Sequence, residues 1–244
     1  MQTNKNVVLI TGGTSGIGLE LVRQLYQLDN KLIVTSNNQD NLLKLKIDFP
    51  KISTLTCDLG DSLSVRKFIN KCLEEYSEIN IIINNAGIQN NYMWTQEIEG
   101  YKKIENEIQI NFTSPMQIIY GLLTSLITKQ NSAIVNVSSG LAFAPKKSAP
   151  IYCATKSAIH NATKALRYQL ETTTVKVFEI IPPLVDTAMT EGRGKGKISP
   201  KQLVDEFICN FENDKFESNI GKTKLLRFIQ RISPKLADNI LKNG

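Results

Sequence analysis

Thr11-Gly-Gly-Thr-Ser-Gly-Ile-Gly18 stands between Val7-Val8-Leu9-Ile10 and Leu19-Glu20-Leu21-Val22-Arg23-Gln24-Leu25, and its reading decides the fold. The run ahead of it is apolar and β-branched without polar alternation, the pattern of a strand buried on both faces of a parallel sheet. Behind it, Leu21, Val22 and Leu25 fall on one helical face. The order is strand, glycine turn, helix. Gly12, Gly16 and Gly18 let the backbone take positive φ and approach a ligand with no Cβ in the way. The helix offers free N–H groups and a positive dipole end to a pyrophosphate. Taken alone, the triplet also suits a turn that only tightens helix against strand.

Two further strand ends narrow the choice. Ile79-Asn-Ile-Ile-Ile83 runs into Asn84-Asn85-Ala86-Gly87, and Ala133-Ile-Val-Asn-Val137 runs into Ser138-Ser139-Gly140. Ligands lie beyond the carboxyl ends of the strands in an open parallel sheet, so residues 84 to 87 are expected at the mouth of a site. An Asx turn capping a strand would explain Asn84-Asn85-Ala86-Gly87 taken alone. Downstream, Tyr152 precedes Lys156 by one helical turn, which puts both side chains on one face. A phenol titrates near 10 in water, and the nearby ammonium is expected to lower it. The plainer alternative is a surface pair.

The coarse pattern predicts strands at 6 to 11, 31 to 35, 52 to 56, 79 to 83, 132 to 138 and 175 to 181. Helices are expected at 17 to 28, 39 to 48, 61 to 75, about 100 to 129 and 151 to 171, followed by a mostly helical tail. This alternation implies an α/β fold, a doubly wound, mostly parallel sheet with helices on both faces. No Pro/Gly/Ser-rich linker divides the 244 residues, so one domain is expected over 1 to 244. No apolar run approaches the roughly 18 residues of a membrane span, and residues 1 to 6 lead directly into the first strand, so a soluble, cytoplasmic protein is expected. Cysteines 57, 72, 153 and 209 show neither CxxC spacing nor disulfide density, and the single histidine, His160, argues against a metal site.

The glycine turn, Asn-Asn-Ala-Gly87, Asn111, Ser139 and Tyr-Cys-Ala-Thr-Lys156 together resemble the short-chain dehydrogenase/reductase family, from about residue 5 to about 190. Within it the chain is similar to a bacterial subgroup encoded beside the D-alanylation genes of teichoic acid, through Asn-Asn-Ala-Gly-Ile-Gln89, Ser-Gly-Leu-Ala-Phe143 and Pro-Pro-Leu-Val-Asp-Thr187. The resemblance implies a Rossmann fold and an NAD(P)-dependent oxidoreductase interconverting an alcohol and a carbonyl. It makes Tyr152 the proton-exchanging group, and has Lys156 bind the nicotinamide ribose while tuning Tyr152. Ser139 is implied to stabilise the substrate oxygen, its spacing from Tyr152 selecting it over Ser138, and Asn111 to hold a water linked to Lys156. The implied cofactor contacts are Gly12, Thr14, Ser15, Gly16, Ile17, Gly18, Ser36, Asn37, Asn38, Asp58, Leu59, Asn85, Ala86, Gly87, Tyr152, Lys156, Pro182, Val185 and Thr187. Asp58 is implied beside the adenine, with Asp61 better placed as a helix cap. Pro183 replaces the family's glycine, which stiffens the loop and removes one N–H.

Cofactor choice rests on Ser36-Asn37-Asn38. A carboxylate here would exclude a 2′-phosphate and a base would attract it; neither is present, so NADP is favoured with NAD the alternative. From Gly192 onward eleven Lys or Arg face six Asp or Glu, and Arg193, Lys195, Lys197 and Lys201 fall in or just after the family's substrate lid, near 184 to 200. Glycines 192, 194 and 196 are expected to make it mobile, and its charge to attract an acidic substrate or a cofactor phosphate; an incidental charge excess explains it equally. No aromatics interleave the basic run, which argues against nucleic acid.

Leu225, Leu226, Ile229 and Ile232 share a helical face suited to internal packing, a subunit interface or a membrane surface, with no stable insertion. Ile108, Ile118, Ile119, Leu122 and Leu123 suit either core or the family's dimer surface, and a homodimer or homotetramer is expected. Tyr92, Trp94 and Phe143 suggest an apolar wall for a small carbonyl or alcohol substrate. The rival readings are a dinucleotide-binding sensor or scaffold without turnover and a structural partner in cell-envelope assembly; erosion of Asn111, Ser139, Tyr152 or Lys156 would favour the sensor, and all four are present.

Overall fold

In the computed structural model, which describes residues 1–243, the chain alternates strand and helix along nearly its whole length. The strands are β1 (Val7–Thr11), β2 (Lys31–Ser36), β3 (Ser53–Thr56), β4 (Ile81–Asn84), β5 (Ser132–Val137), β6 (Val175–Ile181) and β7 (Glu217–Asn219). The helices are α1 (Gly16–Gln27), α2 (Gln39–Asp48), α3 (Ser62–Glu75), α4 (Gly100–Ile108), α5 (Ser114–Ile127), α6 (Pro150–Gln169), α7 (Pro200–Glu212), α8 (Thr223–Ile232) and α9 (Pro234–Leu241). The seven strands form one all-parallel sheet in the order β3-β2-β1-β4-β5-β6-β7. The winding reverses between β1 and β4, and there a doubly wound sheet opens a crevice at its carboxyl edge.

Alternate residues of each strand feed two cores. Val8 and Ile10 join Leu21, Val22 and Leu25 of α1 and Leu203, Val204 and Phe207 of α7 on one face. Leu9 turns to the other, against Val65 and Phe68 of α3 and Ile118 and Leu122 of α5. Burial on both faces explains why the strands read as unbroken apolar runs.

Four points correct or narrow the sequence reading. The tail holds β7, which the pattern missed because Glu217-Ser218-Asn219 carries no apolar run; its place comes from pairing with β6, Glu179 opposite Glu217. The long helical region from 100 to 129 is broken by a π-helical turn at Gln109–Thr113. Pro115 has no N–H to return to the carbonyl of Asn111, so the regular ladder cannot run through this point. Ile118, Ile119 and Leu122 are buried in the core and do not face a partner, while Ile108 is partly exposed. In α8 the supposed single face divides: Leu226 packs inward and Leu225 and Ile232 are exposed. No helix of the described residues is long and apolar enough to cross a membrane.

Candidate active site

A cleft of about 450 Å³ opens where the winding reverses. The glycine turn forms its floor. Gly12 and Gly16 take φ of 65° and 53°, conformations that cost other residues energy. A Cβ on Gly18 would lie 2.1 Å from the Gly12 carbonyl oxygen, so helix and turn pack without room for a side chain. Ser15 precedes α1 without capping it through its side chain, which leaves the helix N-terminus free for an anionic ligand.

The Asn-Asn-Ala-Gly segment holds that turn in place. Asn85 donates through Nδ2 to the carbonyls of Thr11 and Gly12, both at 3.0 Å, and Thr11 Oγ1 accepts from the Asn85 and Ala86 N–H groups at 3.1 Å. Asn84, expected at the mouth, instead lies inside the sheet. Its Nδ2 donates to Asn136 Oδ1 at 2.9 Å, and Asn136 donates to Thr163 of α6 at 2.9 Å. As the last residue of β4 it still alternates with its neighbours, and its side chain meets β5 before the strand ends.

Gly12, Thr14, Ser15, Gly16, Ile17, Gly18, Ser36, Asn37, Asn38, Asp58, Leu59, Asn85, Ala86, Gly87, Tyr152, Lys156, Pro182 and Thr187 all line the cleft. Val185 is buried in the core beside it, in a bridge with Ile198, and is absent from the lining. Asn38 caps α2, its Oδ1 accepting from Asn41 N at 2.9 Å. Asp58 accepts from the N–H of Gly60 at 2.8 Å, and Asp61 caps α3 as expected. Sequence reasoning missed Thr35, Asn41, Cys57, Ile88, Ile110, Val137, Ala188 and Met189 in the lining, where Ser138, passed over in favour of Ser139, also lies. The signal for Asn41 was its place one turn after Asn38; Ile88 and Ile110 offered none.

At the other end of the cleft, α6 delivers Tyr152 and Lys156 from one face. Lys156 Nζ donates to the Val137 carbonyl at 2.8 Å and lies 5.6 Å from the centre of the Tyr152 ring. Asn111 sits in the π-helical turn. Its Oδ1 accepts from Ile88 N at 2.8 Å, and its Nδ2 donates to Ile88 O at 2.9 Å and to Thr155 Oγ1 at 3.2 Å. A Cβ on Gly87 would lie 3.2 Å from Asn111 Oδ1 and 3.5 Å from Lys156 Nζ, so this glycine keeps the space between the two groups clear. Ser139 stands at the end of β5, where its Oγ accepts from Leu141 N at 3.1 Å.

Electrostatics correct one expectation. Burial pushes the Tyr152 phenol up to about 12, and this outweighs the Ser139 side chain and the more distant Arg193 charge, which act the other way. Burial also brings Lys156 down to about 8, opposed by the carboxylate of Glu179. The pair therefore favours a neutral phenol at neutral pH. The proposed apolar wall is also partial: Tyr92 is buried and Phe143 packs under the Arg227 guanidinium at 4.3 Å, but Trp94 is 63% exposed.

Residues 6–197 match the family model for short chain dehydrogenase. The chain belongs to this family. The uncharacterised oxidoreductase DltE of Bacillus subtilis (strain 168) is 36% identical over 233 residues, 93% of this chain and 92% of the relative. Among solved structures, a short chain dehydrogenase from Burkholderia cenocepacia J2315 in complex with NADP superposes with a TM-score of 0.88 at 21% identity, covering 100% of both chains. A short chain dehydrogenase/reductase from Burkholderia phymatum in complex with NAD gives a TM-score of 0.84 at 16% identity, covering 100% of this chain and 97% of that one.

Proposed function

We propose that this short-chain dehydrogenase reduces a carbonyl to an alcohol, and reverses the reaction, with NADP as preferred cofactor. One observation carries the reading: Tyr152 and Lys156 line one end of a cleft whose other end is a glycine turn, with the Ser139 side chain in hydrogen-bond reach of Tyr152 and Asn111 behind the lining, across Gly87 from Lys156. The uncapped α1 N-terminus and the glycine floor fit a dinucleotide pyrophosphate. When bound there, the nicotinamide ring supplies or accepts the hydride. The hydroxyl of Tyr152 donates its proton to the carbonyl oxygen as the carbon becomes an alcohol, and a phenol held neutral by burial is suited to that step. Ser139 donates a hydrogen bond to the same oxygen as charge grows on it. The space that Gly87 leaves open between Asn111 and Lys156 suits a water that hands a proton to Lys156, whose Nζ lies 5.6 Å from the Tyr152 ring centre.

The polar, uncharged group Ser36, Asn37, Asn38 and Asn41 supports NADP. With its Oδ1 engaged on Asn41, Asn38 keeps its NH2 for an acceptor. A cytoplasmic setting suits cysteines that all remain unpaired. Association into dimers or tetramers suits the exposed Tyr120 and Tyr168 on α5 and α6. Fluorescence titration with NADPH and NADH, followed by turnover of a carbonyl panel, tests the reading. Tighter binding of NADPH with turnover is expected; binding without turnover would favour the sensor alternative, and no binding would overturn the reading.

A further inference from the structure

Three loops meet over the catalytic end of the cleft. The segment after β4 is tied to the one before α6 by Tyr92 N donating to Ser148 O at 2.8 Å. The loop before α6 is in turn fixed on that helix, where Lys146 N donates to Cys153 Sγ at 3.3 Å, next to Tyr152. The third loop follows β6. Its ends are joined by Ile198 N to Leu184 O at 3.1 Å and Asp186 N to Ile198 O at 2.9 Å, and Gly192, Gly194 and Gly196 use φ of 69°, 56° and 70° to form defined turns. A Cβ on Gly194 would lie 2.4 Å from Leu184, so this glycine serves a tight fold as well as any motion.

Arg193 projects from these turns toward the first loop. With the Asn91 amide turned to present its oxygen, that oxygen accepts from Arg193 Nη1 at 3.1 Å and Nε at 3.2 Å. Asn91 stands three residues after Ile88, which lines the cleft and is bonded on both sides of its peptide to Asn111. Arg193 is thereby set over the substrate side, and the Ser36-Asn37-Asn38 group belongs to the opposite end.

Charge is uncompensated here. Lys197 of the same loop pairs with Asp186 at 3.2 Å, and Lys201 with Asp205 at 2.7 Å, but among the described residues neither Arg193 nor Lys146 has a carboxylate partner. Both are partly buried. The two cations repel: burial first and then Arg193 lower the pKa of Lys146. The nearby acid, Glu107, is fully buried, has its Oε1 engaged by Asn90 N at 3.0 Å, and is itself driven toward the neutral form by burial. Two half-buried like charges beside a proton donor are stabilised by an anion between them.

We propose that Arg193 and Lys146 hold a negatively charged group of the substrate, so that the enzyme acts on carbonyl compounds carrying a carboxylate or phosphate. This rests on the dehydrogenase reading for what happens at the carbonyl, but not for the binding itself. Arg193 supplies the planar fork that matches either oxyanion, and Lys146 supplies a point charge.

Calorimetric titration in the presence of NADP+, which cannot reduce an aldehyde, tests it with 4-carboxybenzaldehyde, its methyl ester and 4-formylphenyl phosphate. Either acidic compound should bind about tenfold or more tightly than the ester, with the advantage shrinking as salt rises. The stronger of the two names the oxyanion. R193Q should bring the ratio close to one, R193K should restore part of it, and K146Q should have a smaller effect. Equal binding of acid and ester, or a preference that survives the R193Q/K146Q double variant, overturns the proposal. A rise in the NADPH Kd with the ratio unaltered would assign Arg193 to the dinucleotide phosphates and also overturn it. Acid preference in binding with no turnover of any of the three would leave the anion site standing and count against the dehydrogenase reading alone.

Discussion

The two ends of the cleft solve different problems with different materials. At the β2 end the lining is Ser36, Asn37, Asn38 and Asn41, neutral amides and a hydroxyl, of which Ser36 Oγ and Asn38 Oδ1 accept backbone N–H groups at the start of α2. At the β5 end it is Tyr152 and Lys156, buried groups whose protonation is shifted by burial in opposite directions. Recognition of the cofactor's far end uses groups that water could satisfy nearly as well. The reacting end uses groups whose chemistry depends on exclusion of water. The first can be exchanged with modest effects, whereas the second acts as a unit.

Tyr152→Phe breaks the comparison most severely. Turnover should fall by roughly a thousandfold or more, while NADPH affinity changes little, because the lost hydroxyl matters in the transition state. Steady-state rates with a cofactor titration read both; turnover near the wild-type rate would remove Tyr152 from the mechanism.

Lys156→Met gives the next effect, in stability against pH. Lys156 falls from 10.5 to about 8 on folding, so between those values the folded protein binds fewer protons than the unfolded chain. Its contribution to stability therefore rises with pH across that window. Denaturant melts should show wild type gaining on the variant by on the order of 2 kcal/mol between pH 8 and 10.5. The subtraction removes Cys57 and Cys72, whose raised values act with the opposite sign in both proteins. A constant difference would mean that Lys156 stays charged throughout. The smallest effect belongs to Asn37→Asp, where a carboxylate at the ribose end should shift selectivity from NADPH toward NADH by roughly tenfold. An unchanged ratio of the two affinities would show that this segment does not meet the 2′-position.

Much of this was legible because the fold writes it in short patterns. The range predicted for β6, 175 to 181, was met in full, and α2 likewise at 39 to 48. Catalytic spacing on α6 was visible since a helix converts a gap of four into one face. What escaped had nonlocal causes. β7 exists through its partner strand, Asn84 is turned inward by Asn136 across the sheet, and the Tyr152 phenol is set by how much protein covers it. The π-helical turn had a local sign in Pro115, but only the structure shows that it carries Asn111.

That late strand also bears on the order in which the molecule is made. Pro182, part of the cleft wall, follows β6, and β6 is flanked on its outer side only by β7. Thr223 Oγ1 reaches back to the Ile181 carbonyl at 3.0 Å, and Gly140 N meets the Pro182 carbonyl at 3.0 Å. During synthesis the glycine turn and the first four strands emerge long before residues 217 to 223. A nascent chain can thus shape its phosphate-binding floor early, yet the wall facing the reacting carbon is locked only by residues that emerge after the first six strands.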